Sequence, residues 1–287
     1  MTLSPLRDRP LGTMIAYGFP RHDVDVDLHL VSRLGATLVE VLPDWKTLPD
    51  PHGLKRRLEQ HEARPHSVHG CWGRESIRAD RVDLGSTDHE TALRSLDDLK
   101  RCVDWAEALG ASVLVVHPGG FSEADETAAR TEALRAALEA LADHAEGTRV
   151  RLGVENMPPG VHPGSQMAEI HQLIRDIARD EVGLVVDTGH ANLVSSCDAT
   201  TLAAGSYLIS THVHDNNGRA DHHRVPGHGT IDWPKWRFAL DAVGYEGPIM
   251  LECIREIRGN PSLIDESLRA LLSELTRGRH GREEALS

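Results

Sequence analysis

The chain lacks the features that mark a secreted or membrane-bound protein. Its four cysteines are widely spaced and include no Cys-x-x-Cys pair. No apolar run approaches the roughly 20 residues that a transmembrane helix requires, and no signal peptide is recognisable. These absences favour a reducing, cytoplasmic location and exclude a membrane partner.

An excess of basic residues is also missing. The sequence has 31 lysines and arginines against 44 aspartates and glutamates, which gives a formal net charge of −13. A protein that contacts many phosphates usually presents a basic face. The composition therefore disfavours nucleic acid as a partner, although bound metal ions can reverse the local field.

Nothing divides the chain into parts. It contains no Gly/Ser linker, low-complexity tract or short repeat, and no Gly-x-Gly-x-x-Gly turn follows the first predicted strand. The missing glycine turn argues against a dinucleotide-binding domain. A length of 287 residues suits one α/β barrel. We expect a single domain over residues 1–277 and a polar, mobile C-terminal tail over residues 278–287.

The chain does contain a regular alternation of apolar runs and amphipathic segments. Short β-branched runs bounded by Gly, Pro or a helical pattern predict buried parallel strands. The predicted strands are 12–17, 37–41, 66–69, 113–117, 150–155, 182–187, 208–214 and 248–252. The predicted helices are 25–34, 88–109, 126–145, 165–179, 198–205, 232–243 and 262–277. Ser165 is the predicted N-cap of its helix, and Gly35 and Gly110 are predicted C-caps. This order predicts a single (β/α)8 TIM barrel.

Ligand-type side chains stand at the ends of six of these runs. They are His69, His117, Glu155, Asp187, His214 and Glu252. Since residues two apart on a strand share a face, each is the last inward position above mostly apolar or small residues. Active sites of TIM barrels lie at this C-terminal mouth. The pattern therefore predicts an active site built from six strand ends.

A metal site is the predicted chemistry of this mouth. Isolated carboxylates at this depth are costly, so a cation or strong pairing is needed. The ligand set predicted for it is Glu155, Asp187, His214 and Glu252. Oxygen and nitrogen ligands without a thiolate suit Mn2+, Zn2+, Co2+, Mg2+ or Fe2+. Helix capping is the structural alternative. His212, one layer deeper, is predicted to support the ligands from behind.

Further polar residues follow the strand ends and enlarge the predicted site. His69 and His117 could share Glu155 on a second ion, or donate hydrogen bonds to a substrate. A third group could hold another ion or clamp the substrate: His190, Asp221 and His223. One to three ions are thus expected. The predicted substrate contacts are His190, His223, Trp72 and Arg219, and the loop cations available for a phosphate are Arg74, Arg78 and Arg219.

Four segments carry a resemblance to a known family. They are Gly153-Val154-Glu155-Asn156, Asp187-Thr188-Gly189-His190, His212-Val213-His214-Asp215-Asn216 and Pro226-Gly227-His228-Gly229-Thr230-Ile231-Asp232-Trp233. In this order they resemble the xylose isomerase-like TIM barrel superfamily, which contains sugar phosphate isomerases and epimerases, inosose-processing enzymes and endonuclease IV.

The resemblance implies a metal-dependent isomerase or epimerase of a small sugar, polyol or related carbohydrate. Glu155 and Glu252 would exchange a proton with a metal-bound hydroxy-ketone, and their pKa values are expected to be raised toward neutrality. His190 and His223 would contact substrate hydroxyls. By analogy with the family, the protein is also expected to form a homo-oligomer.

The resemblance also implies an alternative. Ketose epimerases similar to this chain have an arginine three residues before the Pro-Gly of the loop after strand seven, where this chain has His223. All nine donor positions of an endonuclease IV-like site are filled, by His69, His117, Glu155, Asp187, His190, His214, Asp221, His223 and Glu252. A di- or trinuclear zinc hydrolase or lyase, in which a metal-bound hydroxide attacks a small substrate, is therefore the second hypothesis. A barrel that only binds a sugar is the third.

Overall fold

The computed structural model describes residues 6–77 and 81–279. Strands and helices alternate along the chain. The strands are β1 Leu11–Tyr17, β2 Leu38–Pro43, β3 Arg64–His69, β4 Val113–Val116, β5 Arg151–Glu155, β6 Val182–Asp187, β7 Leu208–His212 and β8 Ile249–Leu251. The α-helices are α1 Val24–Leu34, α2 Pro51–Gln60, α3 His89–Leu109, α4 Thr127–Ala145, α5 Met167–Ile177, α6 Thr188–Val194, α7 Cys197–Ala204, α8 Trp233–Ala242, α9 Ile254–Gly259 and α10 Glu266–Thr276.

The strands form one closed parallel barrel. Their order is β7-β6-β5-β4-β3-β2-β1-β8, with every pairing parallel. Backbone bonds from Val213 N to Met250 O (2.8 Å) and from Glu252 N to Val213 O (3.0 Å) join the two ends of this series. The predicted (β/α)8 TIM barrel is confirmed.

Local sequence signals set many helix ends. Asp23, Asp50 and Asp88 accept hydrogen bonds from backbone N–H groups in the first turns of α1, α2 and α3. Gly35 and Gly110 end α1 and α3 with φ of 73° and 92°, a left-handed conformation that glycine adopts without a Cβ clash. The two predicted C-caps are therefore confirmed.

The prediction for the start of α5 was wrong. This helix begins at Met167, and its N-cap position is occupied by Gln166, which makes no capping hydrogen bond through its side chain. Ser165 belongs to the preceding turn, because its backbone N–H donates to Val161 O at 3.0 Å. The serine one residue before the N-cap position was thus mistaken for the cap.

Three helices were not predicted. The Asp50-Pro51 pair that opens α2 is a recognisable start signal, with an aspartate N-cap followed by proline at the first helical position. The helices α6 and α9 have seven and six residues, too few for a helical period to be read from sequence. Both begin within three residues of a strand end, at the mouth of the barrel.

Two apolar layers hold the barrel together. The larger packs the outer faces of the strands against the helices. Inside the barrel, Val113, Val115 and Val185 pack together with Ile209 and form a plug below the mouth. Gly153 leaves room for this plug, since a Cβ at that position would lie 2.6 Å from Val185 Cγ2. The expectation of apolar or small inward residues is confirmed.

The described ends of the chain contact each other. Leu6 N donates to Arg279 O at 2.8 Å, and Gly278 N donates to Asp8 Oδ1 at 2.9 Å. The remainder of the predicted tail, residues 280–287, and the predicted phosphate ligand Arg78 lie outside the described residues.

Among the residues described, no helix combines the length and apolar character needed to cross a membrane.

The plug makes a prediction about stability. Gly153→Ala would place a methyl group 2.6 Å from Val185 and 3.1 Å from Val113 Cγ1. Overpacking of this kind costs about 1–3 kcal/mol, which we expect as a lower free energy of unfolding in chemical denaturation. Gly259→Ala is the control, because nothing lies within 4 Å of its Cβ position. Equal stability of the two variants would show that the barrel interior can expand at this level.

Candidate active site at the barrel mouth

The strand ends bring ligand-type side chains together. Six of these side chains stand at the end of a strand or one residue beyond it: His69 (β3), His117 (β4), Glu155 (β5), Asp187 (β6), His212 (β7) and Glu252 (β8). Parallel strands of a barrel end at one rim, so these side chains meet. With residues of the next loop they form three groups, each with its donor atoms within 4.8 Å of one another.

The first group, called the His69 group, consists of His69, His117 and Glu155. His117 Nε2 lies 3.2 Å and His69 Nε2 lies 3.9 Å from Glu155 Oε2. His69 Nδ1 lies 3.0 Å from the carbonyl oxygen of Gly70. A backbone carbonyl at Nδ1 leaves Nε2 free to bind a cation, which is the usual arrangement of a ligating histidine.

The second group, called the His212 group, consists of Glu155, Asp187, His212 and Glu252. His212 Nδ1 lies 3.1 Å from Glu155 Oε1 and 3.2 Å from Glu252 Oε2. His212 and Asp187 are fully buried, and Glu155 is nearly so. Three carboxylates from three strands therefore surround one imidazole.

This arrangement differs from the prediction in one residue. The sequence interpretation placed His214 with Glu155 and Glu252 and put His212 behind them. The structure brings His212 to the two glutamates, while His214 Nε2 lies 3.0 Å from Asp187 Oδ2. The two histidines share a face of the chain, and His214 lies one layer higher.

A buried carboxylate that the prediction did not include supports His212. Glu40, on β2, places Oε1 2.8 Å from His212 Nε2. Ser67 Oγ on β3 donates to Glu40 Oε2 at 2.5 Å. All three side chains are fully buried. The signal in the sequence was an acid in the middle of an apolar strand, which is costly unless it is paired.

The third group, called the His223 group, consists of His214, Asp221 and His223. His223 Nε2 lies 3.0 Å from Asp221 Oδ2, and the ring of His223 stacks on that of His214 with centroids 4.0 Å apart. His190 approaches from α6, with Nε2 3.4 Å from Asp221 Oδ2. Nδ1 of His190 and Nδ1 of His223 face backbone oxygens of Asn156 and Glu252 at 2.9 and 3.0 Å.

The electrostatics of the mouth are dominated by these pairs. Burial opposes ionisation of Glu155, but His212 and His117 outweigh it and hold its pKa well below the usual value. Burial likewise opposes ionisation of Glu252, and His212 and His223 lower its pKa. The expectation that both pKa values are raised is wrong, because it ignored the neighbouring imidazoles.

The pKa values of His190 and His223 are shifted in the opposite direction, upward. Burial lowers the pKa of His190, but Asp187 and Asp221 outweigh burial and raise it to about 10. Burial also opposes protonation of His223, and the hydrogen bond with Asp221, together with Glu252, raises its pKa to about 10. Acidic and imidazole groups therefore stabilise each other's charged forms across the mouth.

The donor set fits a divalent cation. Among the described residues, the buried atoms Glu155 Oε2 and Glu252 Oε2 lack a hydrogen-bond partner, although imidazoles lie near them. Buried carboxylate oxygens without donors are costly, and a cation offsets that cost. Carboxylate and imidazole ligands without a thiolate match the metals expected from the sequence.

An open space adjoins the donors. A cavity of about 230 Å³ is lined by His69, Trp72, His117, Glu155, His190, Asp221, His223 and Glu252, together with Met14, Leu42, Met157 and Pro158. Trp72 packs edge-on against His69, with ring centroids 4.6 Å apart. The predicted substrate contacts Trp72, His190 and His223 thus face the cavity. Arg219 is exposed and does not line it.

A family model for the xylose isomerase-like TIM barrel matches residues 28–274. The chain belongs to the xylose isomerase-like TIM barrel family. This membership agrees with the closed barrel and with donors at the carboxyl ends of its strands.

Relatives within the xylose isomerase-like TIM barrel family differ in their named activities. A protein of unassigned function from Methanocaldococcus jannaschii is 28% identical over 61% of this chain and 63% of its own length. A probable endonuclease 4 of Halorhodospira halophila is 28% identical, covering 68% of this chain and 71% of that protein. An L-ribulose 3-epimerase of Methylomonas sp. is 26% identical, covering 81% and 79%.

A solved structure of the same fold supports the architecture. A D-tagatose 3-epimerase-like protein superimposes with a TM-score of 0.74 and 20% identity, covering 92% of this chain and 99% of that one.

The first curated relatives are matched over less than two thirds of their own length, 63% and 51%.

The pair formed by Glu40 and His212 yields a prediction for this family member. A carboxylate behind a ligating imidazole orients the ring and raises its basicity, and its loss typically costs about 10–100-fold in metal affinity. We therefore expect Glu40→Gln to weaken binding of Co2+ by that factor, measured by titration of the metal-free protein.

Glu59→Gln, at an exposed position on α2, is the matched control and should leave the affinity unchanged. An unchanged affinity in the Glu40 variant, with the fold retained by circular dichroism, would contradict a role of His212 as a ligand supported by Glu40.

Proposed function

We propose that the protein is a divalent-metal-dependent isomerase or epimerase of a small carbohydrate. The observation that carries the proposal is the pairing of Glu155 and Glu252. They come from β5 and β8, approach the same imidazole nitrogen of His212 at 3.1 and 3.2 Å, and line one cavity of about 230 Å³. Two carboxylates facing one small space are suited to moving a proton at a carbon held between them.

In the proposed reaction, one glutamate removes the proton from the carbon next to a carbonyl group and becomes a carboxylic acid. The electron pair of the broken C–H bond forms a carbon–carbon double bond, the π pair of the carbonyl group moves to its oxygen, and an enediolate results. The second glutamate returns a proton to the carbon from the other face. Because both carboxyl groups have lowered pKa values in the free site, the second glutamate must take up a proton when the substrate binds, and the first glutamate must release the proton that it removed before the next cycle.

The remaining residues of the proposed site bind the cation and orient the substrate. The His212 group would hold the cation, which supplies charge stabilisation for the developing oxyanion when bound. His190 and His223, with raised pKa values, are placed to donate hydrogen bonds to hydroxyl groups. Trp72 closes one side of the cavity and limits access of water.

A solvent-exchange experiment tests the proton transfer. In D2O, the metal-loaded protein should incorporate deuterium next to the carbonyl of a ketose in a panel of ketoses and inososes, as followed by NMR. Glu155→Gln and Glu252→Gln should each slow exchange by about 100-fold or more, because each removes an acid–base group.

Glu169→Gln, on the exposed face of α5, is the matched control and should exchange at the wild-type rate. Retained exchange in either active-site variant would remove the two-glutamate mechanism. Both variants should keep the unfolding transition of the wild type.

A second candidate function rests on the His223 group. Together with His190, this group supplies four of the nine donor residues that the sequence analysis named for an endonuclease IV-like site. Asp221 lies 3.4 Å from His190, 3.7 Å from His214 and 3.0 Å from His223. Such a set is suited to a polynuclear zinc hydrolase or lyase. The relative named a probable endonuclease 4 is in line with this alternative.

Metal content separates the two candidates. Elemental mass spectrometry of protein purified without chelator or polyhistidine tag should give about one Mn, Co, Mg or Fe per chain if the His212 group alone is loaded. Two or three zinc ions per chain would instead mean that the His69 and His223 groups also hold metal. Hydrolysis of phosphoesters would then become the leading hypothesis.

A further inference from the structure

A second cavity continues from the candidate active site. It measures about 880 Å³ and shares Met14, Leu42, Trp72, Asp221, His223 and Glu252 with the inner cavity. Ligand pockets usually measure about 300–1,000 Å³, so a substrate can extend well beyond the carbons at the two glutamates. The outer end of this space therefore contacts a part of the substrate that does not react.

The two ends of the outer cavity differ in charge. Asp221 and Glu252 line its inner end, where a cation would be held, and the arginines Arg255 and Arg258 line it from α9. Residues three apart on a helix lie on the same face, so both arginines project from one side of α9. An acidic end, where a cation would be held, thus faces an end that carries two arginines and the carboxylate of Glu256.

Arg258 is held in place by a buried acid. Its Nε and one terminal nitrogen each lie 2.8 Å from the carboxylate of Asp27, which is fully buried. Asp27 also lies 2.9 Å from His22 Nε2 and accepts a hydrogen bond from Ala16 N at 3.0 Å. His22 lines the same cavity. Asp27 offsets the charge of Arg258 and leaves further guanidinium donors for a ligand.

Arg255 has no such partner. It is exposed, and within residues 6–77 and 81–279 its guanidinium makes no hydrogen bond or ion pair. The neighbouring Glu256 accepts a hydrogen bond from the backbone N–H of Val225, which ties it to the loop after β7. The positive charge at the outer end of the cavity is therefore that of Arg255.

We propose that Arg255, with Arg258 and His22, binds an anionic group, a phosphate or a carboxylate, at the far end of the carbohydrate. The inference rests on the proposed function for the reacting end. A guanidinium binds both kinds of anion through charge-assisted hydrogen bonds, and a second positioned arginine adds donors. The loop cations named from the sequence, Arg74 and Arg219, do not line this cavity.

The experiment compares unreactive probes that lack a carbonyl group: a hexitol, the hexitol 6-phosphate and a hexonate. Their Kd values for the metal-loaded protein are measured by isothermal titration calorimetry. We expect at least one anionic probe to bind at least about tenfold more tightly than the hexitol, and Arg255→Gln to remove that advantage without changing the Kd of the hexitol. The preferred anion identifies phosphate or carboxylate as the natural group.

Arg175→Gln, at an exposed position on α5, is the control and should bind all three probes as the wild type does. Equal Kd values for charged and uncharged probes would overturn the proposal. So would an anionic advantage that persists in Arg255→Gln, because the anion would then be bound by groups other than Arg255, such as the metal. If the advantage depends on Arg255 but no ketose exchanges deuterium, the subsite stands and the proposed isomerase activity fails.

Discussion

Compensation of buried negative charge is the constraint on which the mouth of this barrel depends. Glu40, Glu155 and Glu252 all approach the fully buried His212, at 2.8, 3.1 and 3.2 Å. Removing any carboxylate from water is costly, and each of the three is tolerated because an imidazole lies beside it. The same pairing lowers the pKa values of the two glutamates. The imidazoles that offset the buried negative charge therefore also keep the two glutamates in their ionised forms.

The barrel supplies the positions for this compensation. Closure through Val213 brings β8 next to β7, and Glu252 thereby reaches His212 from the side opposite β6. Below them, the plug formed around Val113 and Val185 fills the interior with packed apolar side chains. A packed interior fixes the depth at which the polar layer begins, and that depth decides which side chains meet.

The depth of each polar side chain in the barrel is also the feature that could not be predicted from the sequence. Alternation along each strand was enough to predict the barrel and to place Glu155 and Asp187 at the carboxyl ends of their strands, where the structure has them. It could not decide between His212 and His214, because residues two apart share a face. An irregularity in the β6–β7 pairing, where the register shifts after Leu184, sets Asp187 opposite His212. A bulge of this kind depends on the packing of neighbouring strands, and no local pattern in the sequence reports it.

The loop after β7 is held in place by a buried carboxylate. Asp215 accepts hydrogen bonds from Gly227 N at 3.0 Å and from the indole of Trp233 at 3.1 Å, so the segment typical of sugar isomerases folds around this carboxylate. Backbone bonds between Asp215 and Arg224 hold the neighbouring His223 at a φ of 47°, which is uncommon for a residue other than glycine. Such a conformation costs about 1–3 kcal/mol and persists only where its surroundings impose it. The loop after β7 thus fixes the position of His223 at the mouth of the barrel.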